Sequence, residues 1–419
     1  VSLTASPNYE DKSAYSFEVI ATDTAGNASD YQAVSLKIDE LAPPQATVSL
    51  SVDNDSGIVG DNISSARVIT VSNLKDTATW EYSIDNGVNW SAPLAPTITE
   101  ITLPDEADST YQVKVRQTNA SNDSADNQPL TSVSDMVEFT VDTSAPFVEV
   151  ISASSADQTI TIAYNEALDP SSVPATTDYE ITQSGNDLTV SEVKFDSENA
   201  NNLLLIIDSG LNNGAVRVAY TPSDNLVQDA AGNQSTTGFN SMIVSDGYIR
   251  GAQVYIDRNE DGIADAEEYL PDYTTDEFGQ LILPDSVLNA PENVGKQIII
   301  QGGINMDTGA ANEIELKAPV GYEVINPLST LVAEVIETGV TQEEAEAKLA
   351  QAFNIELEEG TDLGSYDPLS DTSDNALNNR VVVTQIATVL AVASAANEVT
   401  DDTVNVEEIA LSNLANLVA

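Results

Sequence analysis

The sequence predicts a multidomain, mainly β protein in which tandem β-sandwich modules precede a small β-sandwich and an α-helical bundle. Three observations predict this architecture. Short segments up to about residue 322 alternate apolar and polar residues with a period of two, as half-buried strands do. Ala-Pro pairs recur at Ala42 and Ala145, a spacing of 103 residues, which suits sandwich modules joined by stiff linkers. From about Glu323 the apolar period becomes 3.6.

The composition excludes several classes of function. The 419 residues include 14 Lys plus Arg against 68 Asp plus Glu, a formal net charge of -54. Such a surface repels phosphate backbones, so we expect no nucleic-acid partner. The absence of Cys and His removes disulfides, thiol nucleophiles and the commonest general base. We therefore predict that the protein is not an enzyme and that its carboxylates meet divalent cations or high salt.

We expect five domains, at residues 1–41, 42–145, 146–244, 245–322 and 323–419. The chain starts at Val1 with no visible signal peptide, so we interpret it as an internal fragment of a longer protein. The most apolar run, Val381–Ala396, is interrupted by polar residues. It is too short and too polar to span a bilayer, so we predict no membrane insertion within this fragment.

The first segment is predicted to be a pair of strands around the turn Asp23-Thr-Ala-Gly-Asn27. Together with Tyr9-Glu10 and the acidic linker that starts at Asp39, it resembles the last strands of a cadherin domain. The resemblance implies that Glu10, Asp23 and Asp39 are calcium ligands. The linker departs from the family pattern D-x-N-D-N-A-P, since it reads Asp39-Glu-Leu-Ala-Pro43.

The second segment is organised around a predicted hairpin, Trp80–Trp90. Asp85-Asn86-Gly87 lies between two apolar runs, and Asn-Gly tolerates the positive φ angles of a tight turn. The stretch resembles bacterial Ig-like repeats of giant biofilm-associated adhesins. Asp142, an acid at the strand end before the second Ala-Pro pair, is a candidate ligand at the domain boundary.

The third segment is predicted to be another β module, with strands at Thr159–Tyr164 and Ala215–Tyr220. With the turn Asp229-Ala-Ala-Gly-Asn233, these strands resemble an Ig-like repeat known from bacterial swimming-motility and surface proteins. Asp229 is a candidate calcium ligand, and a plain turn is the alternative interpretation because Gly and Asn suit left-handed backbone.

The fourth segment contains the most specific motif in the chain, D-R-N-E-D-G-I-A-D-A-E-E, which follows the predicted strand Ala252–Ile256. Calcium takes six to eight oxygens, and a twelve-residue loop supplies them from positions 1, 3, 5, 7, 9 and 12, with Gly at position 6 for the sharp turn. Every position is filled. We therefore predict a structural Ca²⁺ site, with an acidic solvated turn as the alternative; its ligands are Asp257, Asn259, Asp261, the carbonyl of Ile263, Asp265 and Glu268.

A second feature of this segment is the turn Thr274-Thr-Asp-Glu-Phe-Gly279 (preceded by Tyr273) and the short strand after it. It resembles small prealbumin-like sandwiches of bacterial surface proteins.

The last segment is predicted to be helical. Asn326-Pro327 forms an N-cap with Pro in the first turn, and Thr341 and Glu344 form a capping box. A third helix over about Asn375–Asn397 is apolar nearly all round, which suggests a central position. A fourth runs from Val406 to the end, with Ile409, Leu414 and Leu417 facing inward. A self-contained bundle is predicted, and docking of a partner helix is the alternative.

Taken together, the modules resemble a fragment of a giant bacterial RTX or biofilm-associated surface adhesin. The resemblance implies a secreted, cell-surface location and a role in adhesion and biofilm attachment, as a calcium-stiffened extender segment. Its partners would be the neighbouring domains of the same long chain and surface glycans or proteins. The alternative is that residues 245–419 form a peptide- or glycan-binding head.

Overall fold

The computed structural model describes residues 7–9, 11–50, 55–104, 108–119, 129–183, 186–212, 215–223, 225–235, 238–357, 362–370, 374–397 and 406–418. The protein is mainly β, with 37% of residues in strands and 16% in helices, which confirms the coarse fold prediction. It divides into two compact units. Unit 1 comprises Val1–Ser144 with Ala230–Asn233, and unit 2 comprises Ala145–Asp229 with Gln234–Ala419.

The described residues of unit 1 form three sheets. Its strands are β1 Ala14–Val19, β2 Gln32–Lys37, β3 Thr47–Leu50, β4 Ile63–Ser64, β5 Val68–Ser72, β6 Ala78–Ser83, β7 Glu100–Thr102, β8 Ser109–Asn119, β9 Thr131–Val133 and β10 Val137–Val141. The sheet orders are β1-β2, β3-β5-β7 and β4-β10-β8-β6, with β9 also paired to β8. The predicted hairpin around Asp23 is confirmed, with Ala14 opposite Lys37. A single core surrounds Trp80 and Phe139, both fully buried.

The predicted hairpin at Asp85-Asn86-Gly87 is only half correct. Asn86 and Gly87 have positive φ angles of 60° and 89°, as a tight turn requires. The segment that follows is not a strand, however. It returns along β6 irregularly, with single hydrogen bonds such as Ser91 N to Tyr82 O at 2.8 Å. The regular partner of β6 is β8, with Tyr82 opposite Val115, because β8 offers a long alternating strand that the short run after Gly87 cannot match.

Within the part of unit 2 that the structure describes there are four sheets. Its strands are β11 Val148–Ser154, β12 Thr159–Tyr164, β13 Tyr179–Gln183, β14 Asn186–Leu188, β15 Val190–Phe195, β16 Asn202–Ile207, β17 Arg217–Tyr220, β18 Phe239–Val244, β19 Ile249–Arg250, β20 Gln253–Asp257, β21 Tyr269–Thr274, β22 Gln280–Pro284, β23 Gln297–Gln301, β24 Ile304–Asn305, β25 Leu316–Pro319 and β26 Val324–Ile325. The orders are β11-β12-β16-β15, β14-β13-β17-β18-β22 with β26 on β18, β19-β24, and β21-β20-β23-β25.

Strand β18 joins segments that are far apart in sequence. It pairs antiparallel with β17 on one side and with β22 on the other, and β26 adds a short parallel pairing. The sheet that contains β13 and β17 therefore continues into the segment that carries the predicted metal loop. The first two sheets of unit 2 share one core, which contains Ile160, Leu203 and Val218.

The helices of unit 2 pack against its strands and against one another. They are α1 Asp285–Leu288, α2 Pro327–Glu337, α3 Gln342–Phe353, α4 Ala376–Asn397 and α5 Val406–Val418, with a 3₁₀ turn at Thr176–Asp178. The predicted caps are confirmed, since Asn326 accepts from the N–H groups of Leu328 and Ser329, and Thr341 accepts from Glu344 N. Strands β20, β23 and β25 share one core with these helices.

Two expectations about helix position are wrong. The central helix is α2, which is buried from Pro327 to Val335, whereas α4 exposes Leu377 and Val392. In α5 the residue Ile409 faces solvent and Leu411 is buried, while Leu414 is partly buried against the core as predicted and the side chain of Leu417 lies outside the described residues. The cause is that α2 lies against β25 as well as the other helices, so burial depends on tertiary position and not only on how apolar a helix is. By length and composition alone, α4 includes one 18-residue window of the kind that can cross a membrane, at Ala376–Ala393.

Candidate metal centre

The predicted metal loop connects two adjacent antiparallel strands of unit 2. β20 ends at Asp257 and β21 begins at Tyr269, and Tyr255 lies opposite Tyr269 in the ladder with the ring centroids 5.2 Å apart. The loop closes on itself where Ile256 N donates to Glu268 O at 3.2 Å. The first and last predicted ligands, Asp257 and Glu268, therefore lie side by side at the neck of the loop, and both are buried.

Asp257 shapes the first half of the loop through its carboxylate. Its Oδ1 accepts from Glu260 N at 2.7 Å and from Asp261 N at 3.2 Å, and its Oδ2 accepts from Gly262 N at 2.9 Å. Three consecutive backbone N–H groups thus donate to one buried carboxylate, and this curves the backbone around it. The turn needs left-handed backbone at Gly262, where φ is 74°, a conformation that glycine adopts without steric cost.

Asn259, Asp261 and Asp265 form a polar cluster at the rim of the loop. Asn259 Nδ2 donates to Asp261 Oδ2 at 3.0 Å and to Asp265 Oδ2 at 3.1 Å. Asp261 Oδ1 accepts from Ile263 N at 3.0 Å, while the Ile263 side chain is exposed. The fold therefore brings the predicted rim ligands within hydrogen-bonding distance of one side chain.

Glu268 has one carboxylate oxygen that is buried without a hydrogen-bond donor among the described residues. The residue is 5% exposed. Its Oε1 accepts from Arg258 N at 2.7 Å and from Asn259 N at 3.1 Å. Its Oε2 is buried without a hydrogen-bond partner among the residues that the structure describes. A buried carboxylate oxygen without a donor is costly, and a cation compensates this cost. The donors of the loop are oxygens only, the set that hard divalent cations take.

Lys317 is a further residue of this region, and the sequence analysis missed its role. It lies on β25, is 5% exposed, and its Nζ donates to Gly262 O at 2.8 Å and to Glu334 Oε1 of α2 at 3.1 Å. Burial alone would lower the pKa of Lys317, but the carboxylates of Glu334 and Glu315 outweigh it, and the net effect is a raised pKa. The available signal was a lysine inside the apolar run Leu316–Pro319.

The remaining predicted ligands lie apart from this loop. Glu10 lies outside the described residues. Asp23 is exposed, and its carboxylate serves the β1–β2 turn, with Oδ1 accepting from Asn27 N at 2.9 Å and Oδ2 accepting from Asn27 Nδ2 at 2.8 Å. The Asn27 side chain and backbone N–H lower the pKa of Asp23. Asp39 is exposed on the segment before β3.

Asp142 and Asp229 differ in exposure. Asp142 follows β10 in unit 1, and its Oδ1 accepts from Ser144 N at 3.1 Å. Asp229 belongs to unit 2 and is fully buried, where its backbone forms an isolated bridge with Leu168.

Comparison with known proteins does not assign the chain, since no protein-family model matches it and no curated protein matches it.

Proposed function

We propose that this chain is a calcium-binding extender segment of a large secreted bacterial adhesin, which serves attachment of cells to surfaces and biofilms. In this proposal Ca²⁺ is a structural ion that stabilises the β modules. The finer assignment of the modules as cadherin-like, Ig-like and prealbumin-like sandwiches belongs to the same proposal.

The observation that carries the proposal is the buried, unpartnered Oε2 of Glu268. It lies in a loop whose twelve residues place an oxygen donor at each position that a calcium loop uses. Asn259, Asp261 and Asp265, whose side chains lie within hydrogen-bonding distance of one another, would hold the ion together with Asp257 and Glu268, and the ion would supply positive charge to this rim. The acidic rim is then neutralised by a divalent charge.

Composition and environment support an extracellular role. Modules outside the cell bind calcium with dissociation constants of about 10⁻⁴ to 10⁻³ M. Such a site is filled outside a bacterium and empty in a cytosol that holds little calcium. A chain with a net charge of -54 is also destabilised by its own repulsion when it is compact. Folding after export, driven by calcium, is therefore part of the proposal.

The proposal is tested by thermal unfolding with calcium and with a chelator. An ion at a hundred times its dissociation constant stabilises the folded state by roughly 2.7 kcal/mol, which for a unit of this size raises the Tm by about 5 to 10 °C. We expect Glu268→Gln to abolish this shift, because it removes the charge that the ion compensates.

Glu267→Gln is the matched control. Glu267 is the exposed neighbour of Glu268, and it accepts from Arg258 Nη1 through its backbone oxygen, which the substitution leaves in place. This variant should keep the full calcium shift while losing the same formal charge. Identical melts with calcium and chelator in the wild type would reject the proposal.

The second candidate function is a peptide- or glycan-binding head at residues 245–419. The observation that bears on it is a cavity of about 590 Å³ in unit 2, which residues 245–419 line only in part: Asp362 comes from this range, whereas Glu180, Asp187 and Arg217 come from the module before it. Its charge suits a basic peptide better than a neutral glycan. Incubating the whole chain with peptide and glycan arrays tests this alternative, and it fails if no specific ligand is retained.

A further inference from the structure

Unit 2 contains a second cavity, which shares no lining residue with the acidic cavity beside Glu180. Its volume is about 440 Å³, within the range of about 300 to 1,000 Å³ that small-molecule sites have. Three aromatic residues from distant parts of the chain line it: Phe147 precedes β11, Phe239 begins β18, and Tyr273 lies on β21. The fold thus assembles an aromatic cavity that no local pattern in the sequence indicates.

Two of these aromatic residues are held in place by their neighbours. Phe147 N donates to Asn165 Oδ1 at 2.8 Å, and Asn165 N donates to Phe147 O at 3.1 Å. Phe147 is nevertheless 60% exposed. Phe239 is 5% exposed, and its ring packs against Tyr220 with the centroids 5.7 Å apart. The cavity therefore has one buried aromatic wall and one that reaches solvent, and both are positioned before any ligand arrives.

Asp272 gives the cavity a negative charge. Among the described residues that line it, Asp272 is the one acid, and none of them is a lysine or an arginine. Burial and the nearby charge of Asp272 raise the pKa of Tyr273, which fits a carboxylate close to the phenol. A positively charged ligand is therefore favoured in this cavity, since an anion would meet a like charge.

The apolar walls of the cavity select among cations. Asp272 offers two carboxylate oxygens, far fewer than the six to eight that calcium takes. A small hydrated cation would give up water to enter, and the side chains of Pro146, Val148 and Pro284 offer no acceptor in exchange. A quaternary ammonium ion carries its charge inside a shell of methyl groups, so it gains from burying its apolar surface.

We propose that this cavity binds a small quaternary ammonium cation of the choline type, with its methyl groups against Phe147, Phe239 and Tyr273 and its charge near Asp272. Aromatic rings attract such cations through the negative charge of their faces. The net charge of -54 raises the concentration of cations around the protein. The same charge disfavours a phosphate, so the ligand is the free cation and not the head group of a phospholipid.

Calorimetric titration of choline into the full chain at constant ionic strength tests this inference. We expect saturable binding of choline. The neutral control is 3,3-dimethyl-1-butanol, which has the shape of choline with carbon in place of the charged nitrogen. It is expected to bind at least about fivefold more weakly, because it loses the attraction to the rings and to Asp272. Phosphocholine is also expected to bind more weakly than choline.

Three variants separate the contributions of the ring and the carboxylate. Phe147→Leu keeps an apolar side chain but removes the aromatic face, and it should weaken choline binding about two- to fivefold. Asp272→Asn removes the charge at nearly constant size and should weaken binding by a similar factor. Glu277→Gln is the matched control, because Glu277 is exposed and lies outside the cavity lining. It changes the net charge equally and should leave choline binding unchanged.

Several results would overturn the cation site. They are no saturable binding of choline to the wild type, equal affinity for the neutral control, tighter binding of phosphocholine, or equal losses in Asp272→Asn and Glu277→Gln. The three wild-type titrations decide the matter even if a variant fails to fold. No lining residue of the cavity lies between Asp257 and Glu268, so the choline result is independent of the proposed calcium function.

Discussion

Glu268 and Lys317 are both charged and buried, but they differ in how many hydrogen-bond partners their charged groups have. Lys317 has its ammonium bonded to Gly262 O and Glu334, so its charge is compensated inside the protein. Glu268 keeps one oxygen without a donor. Glu268 belongs to the loop and Lys317 bonds to it. Of the two, Glu268 is the residue whose charged group has an oxygen with no donor among the described residues. This difference indicates where an ion would bind.

At Lys317 we predict a large cost for removing one partner of a buried pair. Lys317→Met should lower the free energy of unfolding by about 3 to 5 kcal/mol, because it removes the buried ammonium that pairs with the buried Glu334 carboxylate. The double variant Lys317→Met, Glu334→Leu should recover most of this loss. Urea unfolding measures both, and equal losses in the single and double variants would contradict the prediction.

The matched control and the pH dependence sharpen this test. Lys296→Met breaks an ion pair with Glu260, whose side chain is 69% exposed, and should cost less than about 1 kcal/mol.

The pKa of Lys317 is raised in the folded state from an ordinary value of 10.5. The stabilisation is therefore complete below pH 10.5 and is lost only as the pH rises through the higher folded value.

Asp85 gives a prediction about pH in the acid range. The backbone N–H of Asn89, the hydroxyl of Ser83 and the Asn89 side chain donate to its carboxylate and lower its pKa to about 2. A depressed pKa means that the contribution of the loop is present above pH 3.8 and is lost as the pH falls toward about 2. NMR titration of the carboxyl carbon should show this midpoint, and Asn89→Ala should move it up. A wild-type midpoint near 3.8 would refute the assignment.

At the scale of elements, local signals in the sequence were sufficient for most strands and caps. The strand predicted at Thr159–Tyr164 has those bounds in the structure, and the capping box at Thr341 is present. Such features depend on residues only a few positions apart, and the same is true of the metal loop, whose curvature comes from Asp257 bonding to N–H groups three to five residues ahead.

Features that depend on distant contacts could not be predicted. The pairing of β18 with β22 joins residues about 40 apart, and no local period encodes it. Lys317 was passed over because its partners Gly262 and Glu334 come from two other elements. The position of Ile409 failed for a related reason, since the choice of inward face depends on which neighbours α5 meets.

The cap of α2 provides a test at this scale. Asn326 is fully buried, accepts from two backbone N–H groups and donates through Nδ2 to Tyr366 O. Asn326→Ala removes a cap worth about 0.5 to 2 kcal/mol and leaves buried donors unpaired at about 1 to 3 kcal/mol. We therefore expect a loss of about 2 to 4 kcal/mol in chemical unfolding.

Thr341→Ala is the comparison, because it removes the exposed cap of α3. We expect it to cost about 0.5 to 1 kcal/mol. Equal costs for the two caps would show that burial of Asn326 contributes nothing beyond the hydrogen bonds.

At the scale of the whole molecule, the dominant property is the excess of 68 acids over 14 Lys plus Arg. Any salt screens repulsion among these carboxylates, so a general increase in stability with ionic strength does not identify a site. A specific site differs because a single uncharged isosteric substitution removes it. Comparisons of calcium with chelator therefore need constant ionic strength.

The most direct measurement is a calorimetric titration of calcium into metal-free wild-type protein and Glu268→Gln at the same ionic strength. We expect a saturable binding event in the wild type, with one ion fewer bound by Glu268→Gln and the full number bound by Glu267→Gln. Indistinguishable isotherms for the wild type and Glu268→Gln would contradict the claim that the loop from Asp257 to Glu268 holds the ion.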